Sequence, residues 1–82
     1  MKIGATVYIR YQDHALFRNV DPKSQRPIIQ EAMGWLDHED NDYIRVILAQ
    51  YREQKVQDGP TEIKATGLVI LRSTILEMRK IV

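Results

Sequence analysis

The sequence predicts a small, mainly β protein built as one five-stranded barrel. Residues 3–11 and 43–51 alternate apolar and polar side chains with a period of two, which is typical of half-buried strands. The acidic run at residues 39–42 precedes the second stretch and has the length and composition of a hairpin turn. Because closure removes exposed sheet edges, several short strands favour a closed or nearly closed barrel.

The length and composition set the scale of this fold. A chain of 82 residues leaves room for one hydrophobic core, so we expect a single domain over residues 1–82. Hydrophobic residues make up 44% and charged residues 28%, which is ordinary for a folded protein. A core this small gives a narrow margin of stability, so the sequence also predicts a homo-oligomer.

Charge and cysteine content argue against several functional classes. Twelve Lys and Arg against eleven Asp and Glu give a net charge of +1, so no overall field draws the chain to nucleic acid or an anionic membrane. The absence of cysteine excludes disulfides, thiolate nucleophiles and cysteine-ligated zinc. No stretch approaches the ~18 apolar residues of a membrane span. We expect a soluble, cytoplasmic protein with no membrane partner.

The first strand is predicted at residues 3–11, with Tyr8 and Arg10 on its polar face. The face predicted to be buried carries Ile3, Ala5, Val7, Ile9 and Tyr11. Residues 15–20 fit either a short strand or a loop that packs Leu16 and Phe17. Residues 21–27 hold two prolines among polar side chains, which indicates a connector.

The next segment is open to two interpretations. Its apolar residues at 28, 29, 32, 33 and 36 also fit helical spacing, with Pro27 in a first turn. Gly34 and Trp35 are poor choices for a helix interior, and an alternating stretch follows. We favour an extended segment over residues 30–38, with a one- or two-turn helix as the alternative.

The second half of the chain completes the predicted strands. In the strand predicted after the acidic turn, Ile44, Val46 and Leu48 should point inward. A polar loop is predicted at residues 52–64. Residues 68–71 are all apolar and predict a strand buried on both faces or closing the barrel. Residues 72–74 suggest a tight or 3₁₀ turn before an extended segment at 75–82, although a helix starting at Ser73 is the competing interpretation.

Two segments resemble motifs of the SH3-like and Sm-like small barrels. Gly34-x-Leu36-x-x-x-Asp40-x-x-Tyr43 is similar to the first Sm motif, and residues 69–76 are similar to the second. The resemblance implies a five-stranded barrel and, through the family, RNA binding. Ile44 stands where the family has an asparagine and Ser73 where it has a glycine, and these family positions line the RNA pocket. The resemblance therefore favours the fold over the RNA activity.

The chain also resembles small bacterial barrel proteins of unknown function. These proteins share a Gly-Trp-Leu, Glu-Asp and Asp-Tyr hairpin, seen here between residues 34 and 43. This second likeness implies no activity.

Catalytic and metal-binding chemistry finds little support in the sequence. The acidic residues at 37, 39, 40 and 42, with His38 among them, could bind a hard cation, but they lack the oxygen spacing and central glycine of a calcium loop. A solvated hairpin tip is the better interpretation. His14 and His38 lack metal-ligand spacing, and no nucleophile or phosphate-binding motif occurs. We expect a protein that is not an enzyme and uses no cofactor or metal.

Aromatic and basic side chains are the best candidates for binding. Such residues stack on bases and pair with phosphate, but they equally furnish protein interfaces. The candidates are Tyr8, Arg10, Trp35, Tyr43, Arg45, Ile47, Tyr51 and Arg72. The favoured hypothesis is a self-associating module that binds a protein or peptide through an exposed row of Tyr43, Ile47 and Tyr51. The alternative is an Sm-like protein that binds RNA or single-stranded nucleic acid.

Overall fold

A computed structural model describes residues 1–16, 18–53 and 62–81. The chain forms five strands: β1 (Thr6–Asp13), β2 (Ile28–Glu39), β3 (Tyr43–Glu53), β4 (Glu62–Leu71) and β5 (Ile75–Lys80). They make one antiparallel sheet in the order β4-β3-β2-β1-β5. Two short 3₁₀ turns lie at Pro22–Ser24 and Arg72–Thr74. Across the described residues, no helix has the length and apolar character needed to cross a membrane.

The sheet is not closed into a barrel, so that part of the predicted fold is wrong. β4 and β5 lie at opposite ends of the strand order, and within the described residues neither pairs with the other. The β2–β3 ladder ends at the Trp35–Ile47 pair, whereas the β3–β4 ladder continues to the Glu53–Glu62 pair. The far half of the β3–β4 hairpin therefore leaves the rest of the sheet, which prevents β4 from meeting β5.

One face of the curved sheet encloses the hydrophobic core. Val7, Ile9, Leu36, Ile44 and Val46 are fully buried there. Tyr11, Ala32 and Ile70 complete the buried cluster, and Leu68, Ile75 and Met78 pack against it. The inward positions predicted for Val7, Ile9 and Tyr11 and for Ile44 and Val46 are thus confirmed. We call this side the inner face.

The ambiguous segment after the connector is a strand, as favoured. β2 begins at Ile28, two residues earlier than expected, and pairs with β1 from Asp13–Ile28 to Thr6–Trp35. Its second half also pairs with β3. Ladder hydrogen bonds on both sides outweigh the helical spacing of its apolar residues, because pairing satisfies the backbone on each side.

The acidic run forms the predicted hairpin turn between β2 and β3. The Asp40 carboxylate accepts hydrogen bonds from the backbone N–H groups of Asp42 at 2.7 Å and Tyr43 at 2.9 Å. The Asp40 N–H in turn donates to the Tyr43 carbonyl at 3.1 Å. A short acidic side chain that bonds to its own backbone two and three residues on is a standard turn former.

Several predicted boundaries need correction. β1 starts at Thr6 because Gly4, at φ 91°, turns the chain, and Ile3 is exposed. Residues 15, 16 and 18–20 form no strand, Leu16 is exposed and Phe17 lies outside the described residues. The loop predicted at 52–64 is shorter, because β3 runs to Glu53 and β4 starts at Glu62, and residues 54–61 lie outside the described part.

The C-terminal prediction is largely confirmed. A 3₁₀ turn at Arg72–Thr74 leads into β5, rather than a helix. The expectation that residues 68–71 are buried on both faces is wrong, because Val69 is 65% and Leu71 55% exposed. β4 is an edge strand of a single-layer sheet, so only its inner face, with Leu68 and Ile70, has a core to cover it.

A bulge in β3 changes which side chains share a face. The register runs from Ile47–Gly67 directly to Ala49–Thr66, so Leu48 is an extra residue in β3. A one-residue shift moves every following side chain to the opposite face. Leu48 was predicted to be buried but is 40% exposed. Beyond the bulge, Tyr51 pairs with Lys64 and lies on the inner face.

Candidate interaction surface

The face opposite the core carries most of the residues predicted to bind a partner. We call it the outer face, and the register assigns to it Tyr8 and Arg10 of β1, Met33 and Trp35 of β2, Tyr43, Arg45 and Ile47 of β3, Val69 and Leu71 of β4, and Glu77 and Arg79 of β5. Tyr51 and Arg72 are outside this set. The structure thus brings together six of the eight candidate residues.

Tyr8 is the centre of a small polar cluster on this face. Its hydroxyl donates a hydrogen bond to Glu31 Oε2 at 2.7 Å, and the Arg79 guanidinium lies 4.5 Å from the centre of its ring. The bond to Glu31 raises the pKa of Tyr8 above its usual value, and desolvation adds to this rise. The ring face that a stacked base or side chain would need is therefore covered by Arg79.

The arginines of the outer face are paired with carboxylates. Arg10 Nε lies 3.8 Å from Glu77 Oε2 on the neighbouring strand. Arg45 Nε donates to Asp37 Oδ2 at 2.5 Å. Both pairs are close to half exposed, so each contributes little to stability. A phosphate approaching either arginine would compete with a carboxylate already in place.

Trp35 and Ile47 form the apolar centre of the outer face. They are direct partners in the β2–β3 ladder, and Trp35 also pairs with Thr6 across β1. Trp35 is half-buried and Ile47 is 9% exposed. Ile47 is therefore part of the packed structure instead of the exposed contact that the sequence predicted.

Tyr43 packs against the hairpin turn. Its ring stacks on His38 with centroids 4.9 Å apart and planes at 27°. His38 Nε2 donates to Asp40 Oδ2 at 2.7 Å. That hydrogen bond, together with those from the Tyr43 and Asp42 N–H groups, lowers the pKa of Asp40 to about 2. His38, Asp40 and Tyr43 thus have partners within the turn itself.

Arg72 lies in the 3₁₀ turn between β4 and β5, beside the acidic turn. Its Nε donates to the Asp40 carbonyl at 3.0 Å and its Nη2 to Glu39 Oε1 at 3.2 Å. Its backbone N–H donates to the Asp42 carbonyl at 2.9 Å. These contacts give Arg72 a clear role in joining the two turns.

The predicted row of Tyr43, Ile47 and Tyr51 is not present as one surface. Tyr43 is half-buried on His38, Ile47 is buried, and the bulge at Leu48 moves Tyr51 to the other face. Tyr51 is 61% exposed on the far half of the β3–β4 hairpin. We call this half, residues 49–53 and 62–66, the arm.

Sequence reasoning missed three exposed apolar side chains of the outer face. Met33 is 66%, Val69 65% and Leu71 55% exposed, all on the outer face. The sequence pattern does indicate their exposure, because all three alternate with more buried residues of β2 and β4. The four-residue apolar run at 68–71 hid that alternation.

A groove lies on the open side of the sheet, between the end of β1 and the end of β4. It encloses about 600 Å³. One wall is formed by Tyr11, Asp13 and His14 with Arg26 of the connector, and the other by Val69 and Leu71. The groove occupies the place where a closed barrel would have had paired strands.

Metal binding has no support from the geometry. Within the described ranges, no group of three or more His, Asp or Glu side chains is arranged to hold an ion. The carboxylates of Asp37, Glu39 and Asp40 bond to the backbone, to His38 or to arginines instead.

Comparison of the chain with protein-family models, with curated proteins and with solved structures finds no match. Function therefore has to follow from the contacts of the described residues.

Proposed function

We propose that this protein is a non-enzymatic interaction module that associates with copies of itself. The observation that carries the proposal is the exposure of large apolar side chains on a sheet with a core on one face only. Met33, Val69 and Leu71 are each more than half exposed on the outer face, where Val69 and Leu71 are neighbours along β4. Soluble monomers seldom leave neighbouring large apolar side chains in water, and such neighbours commonly mark association surfaces.

The contacts of the titratable groups support a binding role over a catalytic one. His38 and Asp40 are neighbours, but both serve the hairpin turn. Glu39 is paired with Arg72, and Arg45 with Asp37. A general acid or base must be free to reach a substrate proton, and these groups are held by structural partners.

Self-association is tested by measuring the mass of the full chain in solution. Sedimentation equilibrium from micromolar to millimolar concentration should give a mass above that of the monomer, with a concentration dependence that fits a defined oligomer. A matched pair of variants separates specific association from general stickiness. Val69→Glu should weaken association, because it charges an exposed apolar position, whereas Lys80→Glu on β5, at the opposite end of the strand order, should not. A strict monomer at every concentration would contradict the proposal.

A second candidate function, Sm-like binding of single-stranded nucleic acid, has one observation in its favour. The two segments that resemble the Sm motifs meet, since Arg72 of the second segment contacts the carbonyl of Asp40 in the first. Against it, Arg10, Arg45 and Arg72 all face carboxylates, and Arg79 covers the ring of Tyr8. These contacts make self-association the better supported function.

A further inference from the structure

β4 offers a free backbone edge to a partner strand. The Arg72 N–H bonds to the carbonyl of Asp42, the residue just before β3, and hydrogen-bonding direction alternates along an antiparallel strand. Residues 70 and 68 therefore bond to β3 as well, whereas residues 71, 69, 67, 65 and 63 direct their N–H and C=O groups away from it. Among the described residues, no strand takes up these groups.

This edge has few of the features that normally block strand addition. Residues 63–71 of β4 hold one charged residue, Lys64, and no proline, and the bulge in the β3–β4 ladder lies in β3. Free edges in soluble proteins are usually protected by charges, prolines or bulges. The other free edge, β5, has such protection, with Glu77, Arg79 and Lys80 along it and an irregular register after Ile75. The two edges therefore differ in their readiness to accept a strand.

We propose that β4 pairs antiparallel with β4 of a second copy, about a two-fold axis at Gly67. This inference rests on the proposed self-association and names its surface. The residues of β4 that direct their N–H and C=O groups to the free edge run from 63 to 71 and are centred on Gly67, so full overlap of these residues places Gly67 opposite itself. In that register Ile63 lies opposite Leu71 of the second copy, and Ala65 opposite Val69. A continuous ten-stranded sheet results.

The side chains match in this register. Ile63, Val69 and Leu71 are each more than half exposed in the single copy, and pairing places apolar against apolar on the outer face. The second copy buries these three side chains, and its backbone forms hydrogen bonds with the outward N–H and C=O groups of β4. Like charges do not face each other anywhere along residues 63–71, because Lys64 lies opposite Ile70. An interface of this kind is self-complementary, as a two-fold axis requires.

The groove beside the end of β4 gives the second copy room. Val69 and Leu71 form one of its walls, and these residues lie opposite Ala65 and Ile63 of the second copy. Those two residues belong to the arm, which is only two strands wide and extends beyond the pairing of β3 with β2. An isolated two-stranded hairpin is marginally stable in water, so covering the arm also stabilises it. Each copy thus inserts its arm into the groove of the other.

Proline substitution on the two free edges tests which edge is used. Ala65→Pro removes an outward N–H of β4 without removing a bond to β3, so it should raise the dimer dissociation constant about tenfold or more. Lys80→Pro is the matched control. The Ile81 N–H bonds to the Thr6 carbonyl of β1, so the N–H of the preceding residue, Lys80, points away from β1 to the free edge of β5. Because β5 takes no part in the proposed interface, this variant should dimerise like the parent chain. Far-ultraviolet circular dichroism checks the fold of both, and Ala65→Lys replaces Ala65→Pro if the proline variant is unfolded.

Cysteine cross-linking tests the register, because the parent chain has no cysteine. In the proposed register, Thr66 of one copy lies opposite Leu68 of the second copy as a non-hydrogen-bonded pair. The Cβ atoms of such a pair approach closely enough for a disulfide. Mixing Thr66→Cys with Leu68→Cys under mild oxidation should give the mixed disulfide in excess over either symmetric one. A mixture of Thr66→Cys with Ile70→Cys, which is offset by two residues, should not.

The outcomes separate this inference from the proposed function. Dimers that dissociate in Ala65→Pro and cross-link between positions 66 and 68 support it. Dimers that persist in Ala65→Pro or Ala65→Lys, or that dissociate in Lys80→Pro, overturn the β4 pairing and leave self-association standing. Tight binding of an unrelated extended peptide to β4 with a monomeric chain overturns the second copy as partner. A parent chain that is monomeric at every concentration contradicts both proposals.

Discussion

Arg72 donates a hydrogen bond from its guanidinium to the backbone carbonyl of Asp40, and this contact joins the β2–β3 turn to the 3₁₀ turn between β4 and β5. The same side chain bonds to Glu39, and its backbone N–H bonds to Asp42. One residue therefore holds two turns that are about thirty residues apart in the chain. The connection keeps the start of β5 beside the hairpin while β4 remains an edge strand.

Removing this contact should weaken the fold. Arg72→Ala loses the hydrogen bonds to Asp40 and Glu39, so we expect the free energy of unfolding to fall by about 1 kcal/mol. Urea denaturation followed by circular dichroism measures the change. Arg72→Lys keeps the charge beside Glu39 but not the planar two-point contact, and it should recover only part of the loss. An alanine variant as stable as the parent would show that the two turns are held together by other contacts.

Acid should destabilise the protein through Asp40. The pKa of this carboxyl is lowered from 3.8 to about 2 in the folded chain, first by the His38 hydrogen bond and then by the backbone N–H groups of Tyr43 and Asp42. A lowered folded pKa means that the stabilisation is fully present above about pH 4 and is lost as the pH falls towards 2. Unfolding measured across this range should show a decline that is smaller in Asp40→Asn.

The comparison of these two chains isolates Asp40 from the other carboxylates. Both lose stability in acid through the remaining Asp and Glu side chains, and only their difference reports on residue 40. Parallel curves for the parent and for Asp40→Asn between pH 4 and 2 would argue against the contact with His38.

Gly34 should not tolerate a side chain. A Cβ at this position would collide with the backbone oxygen of Ile47 and lie 2.8 Å from Val46 Cγ1. Gly34→Ala should therefore cost about 1–3 kcal/mol, because the β2–β3 ladder must shift to admit it. Gly4→Ala is a useful comparison, since its Cβ would meet nothing within 4 Å and only its φ of 91° opposes alanine. A smaller loss in Gly34→Ala than in Gly4→Ala would contradict this close approach.

Nucleic acid should bind weakly or not at all. Arg45 and Arg72 are each paired with a carboxylate, so we expect no strongly salt-dependent affinity for labelled oligonucleotides. Fluorescence anisotropy at low and moderate salt checks this for the parent and for the double variant Arg45→Ala, Arg72→Ala. Asp37→Ala frees Arg45 and serves as the control. Tight binding by the parent that falls steeply with salt and disappears in the double variant would revive the Sm-like function.

The parts of the fold that the sequence predicted correctly depend on local pattern. Val7 and Ile9 are buried because they alternate with polar residues, and the turn at Asp40 forms from its own side chain. The extended state of β2 could be inferred from Gly34 and Trp35, although the ladders on both sides decide it.

The parts that were missed depend on contacts distant in sequence. Arg10 meets Glu77 only because β1 and β5 pair in one register, which no local pattern reveals. Barrel closure depends on where the β2–β3 ladder ends, and Ile47 lies opposite Trp35 only through the register of that ladder. Val69 and Leu71 are exposed, contrary to the sequence prediction, because the sheet does not close over them.

The bulge at Leu48 has a consequence for mutational scanning of β3. Before it, even-numbered positions such as 44 and 46 are buried and should be intolerant of polar residues. Beyond it, the odd-numbered positions 49 and 51 take over the inner face. Tolerance of polar residues should therefore be low at the buried positions 44, 46 and 47 and high on both faces beyond the bulge, where residues 49–51 are all exposed. Deleting that single leucine should make the strand regular and leave Tyr51 on the inner face, because Ile47 and Ala49 already lie on opposite faces.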